Sequence, residues 1–164
     1  MVQPAPPPSD QPAAPPAPPI PATLAWAVRL MYAGAVVSVI EVVYVLTQGS
    51  AIRSALSQQF PTYTASQIHT LEITRMDGSV VGGLIGAGLW VLMARVNLAG
   101  KAWARIAAAV LFGLASLSLG LNFGGRVLVG LLVLVIITWL VGLATVILLW
   151  LKPTREYQDA VTDR

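Results

Sequence analysis

Arg95-Val-Asn-Leu-Ala-Gly-Lys101-Ala-Trp-Ala-Arg105 is a short basic connector between two long apolar runs. Its three cations in eleven residues fix how the chain is threaded, because short loops rich in Lys and Arg stay on the cytoplasmic side of a membrane. Asn97 and Gly100 are turn residues. So short a link makes the flanking spans antiparallel neighbours. Arg95, Lys101 and Arg105, with Lys152 further on, are the residues expected to set the topology.

Working outward, the span before the connector runs from about 79 to 95, near the lower limit for crossing a bilayer. Gly78, Gly82 and Gly86 recur every four residues along it, which lays a smooth stripe on one helix face and suits close helix–helix approach. The stripe reads as packing within the chain, with a homodimer seam as the competing reading. The span after the connector covers about 103–121 and carries Gly113 among its small residues. A fourth span, about 127–151, holds no charge between Arg126 and Lys152. Lys152-Pro153 stops it, and 153–164 reads as a polar tail.

The first span covers about 24–47, with Trp26 suited to the interface. Residues 48–78 form the one long connection, read as an outward helical loop. Ser50 reads as the cap of a short amphipathic helix ended by Pro61. Thr64-Ala-Ser-Gln67 has the spacing of a capping box opening a second helix. That helix either runs straight into the next span or breaks at Asp77-Gly78. Residues 1–22 hold ten of the twelve prolines. Proline removes backbone donors and fixes φ, so a disordered tail is expected, serving as a spacer or as a docking ligand for a partner.

The reading is therefore an all-α, four-helix transmembrane bundle, 23–152, behind a disordered Pro-rich tail. Composition agrees: 56% of residues are hydrophobic and 10% charged, against about 25% charged in soluble domains. The net charge of +3 does not argue for nucleic acid, because the cations cluster at span ends rather than on one polar face. With four spans, Arg29, Arg95, Lys101, Arg105, Lys152, Arg155 and Arg164 share one side, and Arg53, Arg75 and Arg126 the other. This majority puts both termini in the cytoplasm of a cell-membrane protein. There is no Cys, which excludes thiolate catalysis, Cys-based zinc sites and iron–sulfur clusters.

Several segments resemble a group of uncharacterised actinobacterial four-span integral membrane proteins with a Pro-rich N-terminus. They are Val28-Arg-Leu-Met-Tyr-Ala-Gly-Ala35, Trp90-Val-Leu-Met-Ala94, Asn97, Gly100, Lys101, Trp103-Ala-Arg105 and Leu111-Phe-Gly113. The resemblance implies a four-helix membrane fold and brings no activity.

Arg29, about one turn inside the first span, can snorkel to the headgroups. Glu41 is the acidic residue inside that span. It lies six residues before the end of the first span, roughly 9 Å deep at about 1.5 Å per residue. A carboxyl there needs a partner, a water-filled cavity or a proton. Tyr44 shares its face at i+3 and is a candidate donor. Arg53, Arg75 and Arg126 are candidate counter-ions. His69 and Glu72, at i and i+3, lack a third ligand, so no metal site is expected. No cofactor is implied, and one His on a surface loop gives no credible catalytic triad. The expected partners are the bilayer and either a second copy or another membrane protein, in a non-enzymatic component acting through helix or partner contacts. The alternative is a small proton-coupled transporter or channel subunit using Glu41.

Overall fold

The structure is a computed structural model that describes residues 19–122 and 129–162. The Pro-rich segment up to residue 18, the Phe-Gly-Gly turn, Arg126 and Arg164 lie outside the described residues. Among the described residues there are six α-helices and no strand. They are α1 (Ala22–Thr47), α2 (Gly49–Gln59), α3 (Ala65–Leu98), α4 (Trp103–Asn122), α5 (Val129–Trp150) and α6 (Lys152–Thr162). Helices α1, α3, α4 and α5 are long and apolar enough to cross a membrane. This is the architecture of a multi-pass membrane protein.

The helix ends follow from local chemistry. Thr64 and Gln67 form a reciprocal capping box at the start of α3, with Thr64 N donating to Gln67 Oε1 at 2.9 Å and Gln67 N to Thr64 Oγ1 at 3.3 Å. Asp77-Gly78 does not break α3, which runs without interruption for 34 residues. A Gly inside a helix costs only about 1 kcal/mol, which the surrounding apolar run outweighs. Ser50 is not the cap of α2. The helix begins at Gly49 after Gln48, without a side-chain cap bond.

Helix α1 is the centre of the bundle, packing mainly on α3 and α5, while α4 leans on α5 and α2 on α3. Although their connector is short, α3 and α4 touch each other only slightly. The dense core sits at the connector end. Leu24, Ala27 and Met31 of α1 meet Met93 and Ala94 of α3, Ala108 of α4 and Leu149 of α5. The outward faces, such as Val81, Ile85, Leu114, Leu117 and Leu140, stay exposed, as expected where the solvent is lipid.

Helix α6 corrects the expectation of a polar tail over 153–164. It folds back over the connector as an amphipathic helix. Thr154 and Gln158 are fully buried. Gln158 Nε2 donates to the equally buried Asn97 Oδ1 at 3.1 Å, and Asn97 Nδ2 to Met93 O at 2.9 Å. The Thr154 hydroxyl donates to Leu148 O at 3.1 Å and lies 2.7 Å from that of Thr23, so Thr23 is the donor of that pair. Arg105 Nη2 meets Asp159 Oδ1 at 3.1 Å. Gly100 sits at φ +72° with Val161 so close that an added Cβ would lie 2.7 Å from it. A left-handed turn after α3 and the close approach of α6 both require glycine there.

The glycines that let helices meet are not those of the stripe. A methyl group built on Gly78, Gly82, Gly86 or Gly113 meets no atom within 4 Å outside its own helix backbone and chain neighbours. The tight contacts are elsewhere. Gly34 lies under the Trp90 ring, where a Cβ would sit 2.7 Å from Cε2, and Gly142 lies under Phe112 at 2.9 Å. Gly83 faces Val42 and Gly130 faces Tyr44. A four-residue repeat shows that a helix has a smooth face. It does not show which face the bundle uses.

Candidate functional site

Because α3 and α4 barely touch, a cleft of about 270 Å³ remains between them, floored by α1 and α5. Its lining is mostly apolar, and Glu41 is the only ionisable residue among the described residues that form it. Leu89 of α3 and Ala115 of α4, on its walls, are exposed on the outer surface, so the cleft borders lipid. An unpaired polar group in hydrocarbon costs several kcal/mol, which makes the placement of a carboxyl here informative.

Glu41 is held from α5. The Thr138 hydroxyl donates to Glu41 Oε1 at 2.7 Å. One donor fills a fraction of the acceptor sites of a carboxyl group. Among the described residues no cation pairs with Glu41. Arg53, expected as a counter-ion, is bonded to Glu72 instead, and Arg126 lies outside the described residues. Tyr44 does not turn towards Glu41. Its hydroxyl lies against Gly130 of α5.

Trp139 and Thr145 of the cleft wall are tied into the wall. Trp139 Nε1 donates to Ser116 Oγ at 2.9 Å, and Ser116 Oγ donates to Phe112 O at 2.8 Å. Thr145 donates to Val141 O at 2.8 Å. Phe112 and Trp139 stand 5.5 Å apart, tilted, an arrangement aromatic rings favour. Their rings are fixed in place while the Glu41 carboxyl keeps acceptor capacity. Thr138, Gly142 and Thr145 were not singled out from the sequence, yet they carry a signal. In a helix made mostly of Leu, Val and Ile, they lie at i, i+4 and i+7 on one face.

At the other polar cluster, Arg53 of α2 clips to α3. Its Nε donates to Glu72 Oε2 at 2.7 Å, and its Nη2 lies 3.2 Å from His69 Nδ1. His69 Nδ1 is 3.5 Å from the same Glu72 oxygen. A helix of 34 residues is about 51 Å long against a hydrocarbon layer of about 30 Å, so these first turns of α3 stand outside the apolar layer. The hydrogen bond from Arg53 holds the Glu72 carboxyl below its ordinary range, outweighing the opposing effect of burial. Among the described residues no group of three or more His, Asp or Glu could hold a metal ion.

No family model, no curated protein and no solved structure matches the chain.

Proposed function

We propose that the chain is a non-enzymatic, multi-pass protein of the cell membrane with cytoplasmic termini, and that it binds a lipid-soluble molecule in the α3/α4 cleft as a small transporter or channel subunit. The likeness to the actinobacterial four-span membrane proteins fits the multi-pass part of this reading and carries nothing about the cleft. The observation that carries it is the position of Glu41, half-buried in an apolar cleft that borders lipid and held by a single described donor, Thr138. Ionisable side chains at such depth are expensive and mark sites of function more often than of structure. In membrane vesicles, Glu41→Gln should abolish proton-coupled uptake or dye efflux while the protein inserts normally. Unchanged flux would end the transporter reading.

A second reading rests on a different observation. The Gly78/Gly82/Gly86 face of α3 is bare within the chain, which suits a contact protein that docks a second copy or another membrane protein there. Crosslinking in native membranes tests it. Recovery of a partner through this face, abolished by Gly82→Ile, supports the reading, and crosslinks confined to other faces remove it.

A further inference from the structure

The polarity of the cleft is arranged along the membrane normal. Glu41 and Thr138 lie towards the α2 end of the bundle, with Leu119 of α4 near them in the lining. Met31, Met93 and Thr145 lie towards the connector end. Met31 and Glu41 are ten residues apart on α1, which is about 15 Å along a helix. The cleft is thus a slot with an acidic end near one face of the bilayer and an apolar end running inward. Its volume of about 270 Å³ holds many groups of water size, since one needs about 10–15 Å³ of such space. That is room for an alkyl chain.

Resting on the reading of the cleft as a binding site, we infer that its occupant is a single-chain amphiphile with a cationic head, an alkylamine or alkylammonium. The ammonium group sits against the Glu41 carboxylate and the chain runs inward between Trp90 and Phe112. Charge selects the head. A carboxylate in hydrocarbon with one described donor is stabilised by a cation and repels an anion. The aromatic walls formed by Trp90 and Phe112 flank the alkyl chain instead.

The test uses tryptophan emission from the full chain in nanodiscs of zwitterionic lipid. Trp26, Trp103 and Trp150 are replaced by Phe, which leaves Trp90 and Trp139 in the cleft. The probes are a ten-carbon trimethylammonium, alcohol and sulfate, each brominated in mid-chain to quench nearby indoles. The cation should quench saturably, and Glu41→Gln should weaken its half-saturation about tenfold or more. Gly86→Leu, which grows into open space at the cleft wall, should abolish saturable quenching without loss of fold. If the alcohol or the sulfate quenches with the same midpoint as the cation, or Glu41→Gln changes nothing, the cationic head is wrong although the cleft still binds. If none of the three chains quenches saturably, the binding reading fails as well.

Discussion

Gln158 Nε2 donates to Asn97 Oδ1 at 3.1 Å, joining two fully buried side chains that are 61 residues apart. This bond, with Arg105–Asp159 and Thr23–Thr154, ties α6 to the connector and to the start of α1. Asn97→Ala leaves the Gln158 amide unpaired in the interior, which costs about 1–3 kcal/mol. The thermal unfolding midpoint in detergent should fall, and amides over Lys152–Thr162 should exchange faster. Unchanged exchange there would mean that α6 is held by other contacts.

Two glycine substitutions should behave oppositely. Gly34→Ala pushes a methyl group against the Trp90 ring at 2.7 Å, and overpacking of this kind costs about 1–3 kcal/mol. Gly82→Ala meets open space and should stabilise α3 or leave it unchanged. Equilibrium unfolding of both variants in mixed micelles checks the contrast. Equal effects would remove the assignment of the packed faces.

The Arg53–Glu72–His69 clip should depend on pH. The folded-state pKa of Glu72 is lowered by Arg53. The clip's stabilisation is therefore present above the unfolded pKa of a glutamate and is lost as pH falls through the lowered, folded value. Hydrogen exchange of α2 should rise under acid in the native chain, and Arg53→Ala should remove most of that dependence. A flat profile in the native chain would contradict the clip.

Threading is open to direct labelling. The sequence holds no cysteine, so a single Ala99→Cys in the connector reports alone. A membrane-impermeant maleimide should label it only after the cells are permeabilised. Labelling in intact cells would invert the topology.

The all-helical architecture and its four long apolar helices are legible in the sequence because each depends on composition and length, which are local. The Thr64–Gln67 box is legible for the same reason. What is not local was not legible. The glycine stripe looked like a packing face, but Trp90 and Phe112 chose Gly34 and Gly142, and ring placement depends on three helices at once. Helix α6 looked like a tail because its sequence is polar. It folds because the buried Thr154 and Gln158 find partners more than fifty residues distant. Glu41 was visible as an acid within a span, whereas its donor Thr138, 97 residues further along, could be read only as a hydroxyl on the glycine face of another helix.

Helix α3 carries three of these features on a single uninterrupted rod. Glu72 near its start is clipped to α2, Trp90 and Met93 line the slot, and Asn97 at its end is locked to α6. A continuous helix does not absorb torque at a hinge. A turn of the overhang beyond the apolar layer, by a protein docking on α2 or a proton taken up there, is carried along the same helix to the slot wall and to the anchorage at its other end. Cause at the surface and effect in the interior would be one mechanical event.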